Sequence, residues 1–236
     1  MNGTIISITL RGLLGRRRAL LLIPLPLVVI GVGLLARDST QAEAVDILNG
    51  LGLSTVLPLT ALILGTAVLG SEMEDGNLVH LLAKPISRAE ILLSKLLVAV
   101  VATVLVGAVP ILIAGILMTG SYSSIAQGFF VGALAGSVLY PAIFVALSAV
   151  TKRAVVFGLV YLLLWEGVLG TWLRGTRILS VRHYLLQFAD AASTSPFISA
   201  DVSFATSVIM SAILLGLAVW FGTDRLRSYN MAHEAI

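Results

Sequence analysis

Six runs of mainly apolar residues, each about as long as a membrane-spanning helix, constrain this chain more than any other feature. A helix needs about 20 such residues to cross the hydrocarbon core of a bilayer. The chain is 58% hydrophobic and 11% charged, so it predicts an all-α integral membrane protein, with one transmembrane domain over residues 1–236. We predict six transmembrane helices at about residues 19–36, 51–70, 91–118, 125–150, 154–173 and 204–222.

The positions of lysine and arginine predict the orientation of these helices. With a cytoplasmic N-terminus, the inner segments carry eleven basic residues: Arg11, Arg16, Arg17, Arg18, Lys84, Arg88, Lys95, Lys152, Arg153, Arg225 and Arg227. The outer segments carry four: Arg37, Arg174, Arg177 and Arg182. Loops rich in lysine and arginine stay in the cytoplasm. Both termini are therefore predicted to be cytoplasmic, and residues 174–203 form the long outer loop.

The N-terminal region has two features to interpret. A basic segment before an apolar run also describes a secretory signal, but Leu34-Leu35-Ala36 lacks the small residue expected three positions before a cleavage site. We expect a retained first helix. Residues 5–18 combine an apolar face with basic side chains, which predicts a cytoplasmic amphipathic helix in the inner headgroup layer; a basic flank that only sets orientation is the alternative.

Several kinds of chemistry are disfavoured. The chain has no cysteine and three histidines far apart in sequence, without an HExxH pattern, so a metal site is not expected. No GxxxxGK[ST] phosphate loop is present, so ATP hydrolysis would need another polypeptide. The net charge of +3 is explained by membrane orientation and does not indicate binding to nucleic acid.

Two features inside the predicted spans are candidates for function or packing. Gly128, Gly132 and Gly136 recur every four residues, which favours close approach of another helix, with a substrate-lining role as the alternative. Glu166 is the single acid deep within a span and is a candidate for the substrate path. Alternatively, its side chain extends to the outer interface and pairs with Arg174.

The long outer loop contains apolar residues at helical spacing: Ile178, Val181, Leu185 and Phe188. This pattern predicts a short amphipathic helix in the outer leaflet, with His183 and Tyr184 at the interface. Such a helix would either cap an exit path or cover the helix bundle.

A polar stretch, residues 71–90, separates the second and third spans. It opens with three carboxylates and a helix-breaking glycine: Glu72, Glu74, Asp75 and Gly76. Asn77 is a suitable N-cap for a short apolar helix, LVHLLA, which Pro85 ends. Ser87 and Glu90 have the spacing of a capping box at the start of the third span. An exposed apolar helix between two capped ends predicts a plug for a groove on another protein, with an ordinary loop as the alternative.

This stretch resembles the signature of bacterial ABC transporter permeases of the ABC-2 exporter type. The matching residues are Glu72, Glu74, Gly76, Leu78, Leu81, Leu82, Pro85, Ser87, Arg88 and Lys95. Asn77 departs from the threonine that is frequent there, but both residues cap helices. The resemblance implies that residues 77–83 form a coupling helix, which docks into a cleft on a separate ATPase.

The resemblance implies a permease subunit of an ATP-driven exporter in the bacterial cytoplasmic membrane. Its partners would be cytoplasmic ABC ATPase subunits, which hold the ATP and Mg, a second permease chain, identical or paralogous, and membrane lipid. This chain itself would hold no cofactor. Mostly apolar spans favour a hydrophobic or amphipathic cargo, such as a drug, a lipid-linked molecule or a peptide. An ATPase-independent secondary transporter or channel is the alternative, and an intramembrane enzyme is disfavoured because no catalytic cluster lies within the spans.

Overall fold

The structure is a computed structural model that describes residues 22–74, 87–120, 123–151, 153–169 and 174–231. Every regular element in these ranges is helical. The predicted N-terminal amphipathic helix, residues 5–18, lies outside them. So do most of the polar stretch, residues 75–86, and the end of the predicted fifth span, residues 170–173.

Seven helices are present in the described ranges, besides a short 3-10 helix at Arg174–Leu179. Three of them contain π-helical segments that continue the helix without a break. Their bounds are α1, Pro24–Leu35; α2, Gln41–Ile47, Leu48–Val56 (π) and Leu57–Glu74; α3, Arg88–Thr103, Val104–Ala108 (π) and Val109–Thr119; α4, Ser124–Ser148; α5, Ala154–Val160 and Tyr161–Leu169 (π); α6, Val181–Ala191; and α7, Phe204–Met231.

Four of these helices are long and apolar enough to cross a membrane. They correspond to Gln41–Leu69, Arg88–Thr119, Ser124–Ser148 and Phe204–Leu226. The predicted first and fifth spans appear as shorter apolar helices, Pro24–Leu35 and Ala154–Val168. The regular structure of the described residues is therefore all-helical, with four candidate membrane spans and two further apolar helices.

Helix α2 begins at Gln41, well before the predicted start at Leu51. Thr40 and Glu43 form a capping box: the Thr40 hydroxyl accepts the Glu43 amide at 3.4 Å, and the Thr40 amide donates to Glu43 Oε2 at 2.8 Å. These two bonds satisfy backbone donors that the first helical turn leaves free. Much of the connection predicted between the first two spans is therefore helix.

Helix α4 lies at the centre of the packing and contacts α2, α3, α6 and α7. Its side chains Phe129, Tyr140 and Phe144 are among the largest fully buried groups of the chain. The sequence Ser124–Ser148 has small residues between these aromatic ones, so neighbouring helices can approach closely.

Helix α7 is the least buried of the four candidate spans. Only 6% of its most apolar window is buried within the chain, against 67% for α2. Leu217 and Trp220 are more than half exposed on its surface. Since a single chain leaves this apolar surface uncovered, lipid or another membrane chain must cover it.

Candidate functional site

The predicted coupling segment lies mostly outside the described residues. Helix α2 continues to Glu74, so the backbone at Glu72 and Glu74 is helical. The remaining coupling residues before the third span lie in the range that is not described: Gly76, Asn77, Leu78, Leu81, Leu82 and Pro85. The structure describes the two flanks of this segment, the end of α2 and the start of α3.

The start of α3 is capped as the sequence predicts. Ser87 has an extended backbone, and its hydroxyl accepts the Glu90 amide at 3.2 Å. Arg88 is the first residue of the helix. Because a serine N-cap satisfies an otherwise free amide, it fixes the point where the polar stretch ends and α3 begins.

Lys95 ties α3 to α2 close to this point. Its side chain is fully buried, and Nζ donates a hydrogen bond to the Val68 carbonyl oxygen at 2.8 Å. Around it lies an apolar cluster from α2, α3, α4 and α7, including Leu69, Leu92 and Val145. The two helices that flank residues 75–86 are thus joined by a buried charged hydrogen bond within a packed core.

The glycine stripe of α4 packs against α6. A Cβ atom on Gly128 would lie 2.6 Å from the Ala189 carbonyl oxygen, and one on Gly132 would lie 2.6 Å from that of Leu185. Gly136 meets both Leu185 of α6 and Leu57 of α2. The packing interpretation of this stripe is confirmed, and its main partner is the backbone of a short helix in the 174–203 loop.

The amphipathic helix predicted in that loop is present as α6, although its buried face differs in part. The buried residues are Val181, Tyr184, Leu185 and Ala189. Ile178 is 48% exposed, and Phe188 is half-buried with its ring against Phe204. Tyr184 belongs to this buried face: its side chain is buried within the chain, and its hydroxyl donates to the Ile178 carbonyl oxygen. Its interfacial position in the membrane stays a prediction.

Glu166 lies in the π segment of α5, and its carboxyl group is almost fully buried, with 6% of the residue exposed. Oε1 accepts from the Tyr161 hydroxyl at 2.9 Å and from the Val181 amide at 3.0 Å. Oε2 accepts from the Ser180 hydroxyl at 2.6 Å and, over a longer 3.4 Å contact, from the Arg182 amide. We call these four donors and Glu166 the carboxylate cluster.

The π geometry of α5 explains one of these contacts. Tyr161 and Glu166 are five residues apart, which matches the i to i+5 spacing of a π turn. The adjacent residue Trp165 also reaches across, since its Nε1 donates to the Leu179 carbonyl oxygen at 3.2 Å. Two successive side chains of α5 thus contact the segment that leads into α6.

Glu166 caps α6 in place of the helix's own N-cap residue. Ser180 occupies the N-cap position but makes no side-chain capping bond. Its hydroxyl points to Glu166, which accepts the first two amides of the helix. These amides have no partner within the helix, and a carboxylate there complements the helix dipole. The side chain of Arg174, the alternative partner of Glu166, lies outside the described residues.

His183 is the titratable neighbour of this cluster. Its Nδ1 lies 3.0 Å from Ser180 Oγ, and burial, with Arg182 and Arg177 nearby, lowers the pKa of the His183 imidazole. In a nucleophilic triad the histidine lies between the acid and the serine. Here Ser180 lies between Glu166 and His183, so these three side chains do not have the geometry of a triad. In the described part of the chain, no group of three or more His, Asp or Glu side chains lies close enough to hold a metal ion.

The sequence indicates Glu166 as a candidate, but its hydrogen-bond partners were not predicted. Ser180 stands directly before the helical pattern of α6, which is the position of an N-cap, and this was the available signal. No sequence signal indicates Tyr161 as a partner of Glu166, because residues five positions apart do not share one face of an ordinary α-helix.

A family model described as ABC-2 family transporter protein matches residues 19–224. The chain belongs to the ABC-2 family of transporter proteins. The match covers the whole helical core, so the resemblance seen in residues 71–90 is confirmed at the level of the family. The protein is a membrane permease component of an ABC transporter, and its family implies association with an ABC ATPase. No curated protein was found to match the sequence.

Proposed function

We propose that this ABC-2 permease is the membrane subunit of an exporter in the bacterial cytoplasmic membrane. It would work with cytoplasmic ABC ATPase subunits and a second permease chain, identical or paralogous. The observation that carries the proposal is the family match over residues 19–224. It is supported by the sequence itself, which contains no phosphate-binding loop of its own.

Energy would enter through the polar stretch between α2 and α3. In the proposed mechanism, residues 77–83 dock into a cleft on the ATPase, and closure of the ATPase on ATP moves this segment. Lys95 and Val68 support the idea, because they join the two flanking helices. ATP binding would then shift the population between inward-facing and outward-open states of the permease pair.

The cargo we propose is hydrophobic or amphipathic: a drug, a lipid-linked molecule or a peptide. An apolar groove with a volume of about 480 Å³ lies between α4, α6 and α7. Its lining includes Ile143, Leu147, Leu179, Tyr184, Leu214 and Phe221. A surface of this kind suits apolar groups and offers little to a small hydrophilic ion.

For Glu166, the sequence predicts a place on the substrate path, where it would favour a cationic amphiphile. A cation could reach its carboxylate only by displacing one of the donors of the carboxylate cluster, because each oxygen faces two of them. Export of lipophilic cations by the Glu166→Gln variant tests this role. Unchanged export of every transported cation would exclude it.

Purification from native membranes tests the proposed assembly. We expect the tagged permease to retain an ATPase subunit and to show ATP hydrolysis in mild detergent. The alternative, a secondary transporter or channel, would instead purify without an ATPase and transport its substrate in vesicles that contain no ATP. That second result would overturn the proposal.

A further inference from the structure

We propose that Glu166 is a positioning residue whose hydrogen bonds hold the start of α6 against α5; we call these bonds the clamp. The packed position of α6 against the glycine stripe of α4 is called its seat. We propose that α6 leaves this seat only when the clamp breaks. The docking of α6 is a property of the chain alone and does not depend on the proposed function.

The hydrogen bonds of Glu166 cross from α5 to the start of α6. Glu166 is on α5, whereas three of its four donors belong to the residues at the start of α6: Ser180, Val181 and Arg182. Ser180 and Val181 are fully buried. Hydrogen bonds to a charged group are stronger than neutral ones, and they are costly to break where water cannot replace them. The carboxylate therefore connects two elements that are far apart in sequence.

The carboxylate cluster requires a carboxylate rather than an amide at position 166. Each oxygen of Glu166 faces one backbone amide, Val181 on one side and Arg182 on the other. A hydroxyl can rotate to become an acceptor, but a backbone N–H cannot. The NH2 group of a glutamine would oppose an N–H on either side. Glutamine has nearly the same shape as glutamate, so this substitution tests the hydrogen bonding and not the packing.

The rest of the α6 seat is formed by α4. Against α4, the helix rests on the glycine stripe, where Leu185 and Ala189 meet Gly132 and Gly128 through backbone and small groups. These van der Waals contacts depend on distance and not on angle. They therefore fix the distance between α6 and α4, but they resist sliding of α6 along its own axis only weakly. The directional contacts at the start of α6 supply that position. Loss of the clamp should therefore loosen α6 without unfolding the bundle.

The absence of cysteine from the chain makes a direct test possible. Val181→Cys places a thiol on the buried face of α6, and cysteine is smaller than valine, so the reporter does not overpack its site. Ala191→Cys, on the exposed side of the same helix, gives the reference rate. The full chain, purified in lipid nanodiscs without any partner, is labelled with a polar maleimide, and the ratio of the two rates measures how often α6 leaves its seat.

We expect Glu166→Gln to raise the labelling ratio of Val181→Cys by about tenfold or more, from the loss of charged hydrogen bonds. The matched control is Glu43→Gln, which alters an exposed glutamate that also accepts a bond from a helix-start residue, Thr40. It should leave the ratio unchanged. A ratio in Glu166→Gln equal to that of the unaltered chain would overturn the clamp.

If Glu166→Gln does not fold, the labelling ratios of the Ser180→Ala and Tyr161→Phe variants test the clamp instead. Each removes one donor hydroxyl and leaves the carboxylate in place. A raised ratio in both supports the clamp, and no rise in either overturns it. Because labelling needs neither ATP nor cargo, the clamp can fail while the proposed exporter function stands, and the reverse also holds. If Glu166 only contacts cargo, cation export falls while the labelling ratio stays constant.

Discussion

Lys95 Nζ donates to the Val68 carbonyl oxygen at 2.8 Å, across 27 positions of sequence. The bond joins α3 to α2 on either side of residues 75–86, the proposed point of contact with the ATPase. Glu166 likewise joins α5 to the start of α6. The permease thus has two buried polar connections between its helices, and both are hard to replace where water is excluded.

Removal of the Lys95 amine should weaken the link between α2 and α3. Lys95→Met keeps the length of the side chain and loses the donor to Val68, so we expect a loss of about 1.5–3 kcal/mol in the free energy of unfolding. Thermal unfolding of the purified chain measures this. Arg153→Met, which removes an exposed cation in the turn before α5, should have little effect. Equal stability of both variants would contradict a structural role for Lys95.

A side chain at the glycine stripe should displace α6. In Gly132→Ala the new methyl group would lie 2.6 Å from the Leu185 carbonyl oxygen, so one of the helices has to shift. We expect the variant to be less stable by about 1–3 kcal/mol. Gly216→Ala is the matched control, because a Cβ atom there meets nothing within 4 Å and alanine favours helix. If the two variants unfold at the same temperature, α6 does not occupy the seat described.

Acidification should loosen α6 through His183. The folded protein lowers the pKa of this imidazole below its ordinary value, chiefly by burial and also through Arg182 and Arg177, with Asp201 acting in the opposite direction. The stabilising contribution of neutral His183 is therefore present above about pH 6.5 and is lost as the pH falls through the folded pKa.

Unfolding midpoints measured between about pH 7.5 and 5.5 test this prediction, since the window brackets the ordinary histidine pKa. The unaltered chain should lose more stability on acidification than His183→Gln, in which no imidazole titrates. Parallel pH profiles for the two proteins would show that His183 does not cause the loss of stability on acidification.

The apolar runs predict the helical membrane fold, because a helix that spans a bilayer needs mainly sufficient length and hydrophobicity. The start of α2 was missed since Glu43 and Asp46 make the segment look like a polar loop, although Thr40 and Glu43 carried the capping signal. The periodicity of α6 predicts the helix itself, but it does not indicate that Tyr184 is buried within the chain.

The partners of the candidate groups were harder to predict than the groups themselves. A glycine stripe looks the same whichever helix packs on it, so Gly128 and Gly132 could not indicate α6. Similarly, a lone acid such as Glu166 suggests only that some partner exists. Its actual partners depend on a π segment and on the backbone of a distant helix, and neither leaves a clear pattern in the sequence.

ATP-driven transport by the Leu78→Asp and Leu82→Asp double variant shows whether residues 77–83 couple the permease to its ATPase. A carboxylate at either position would have to be buried without a partner in the ATPase cleft. Val150→Asp is the control, since Val150 is a 40% exposed apolar residue in the turn after α4, at another predicted cytoplasmic connection. We expect the double variant to insert in the membrane but to lose the ATPase and transport, while Val150→Asp keeps both. Retention of the ATPase and of normal transport by the double variant would contradict this coupling role.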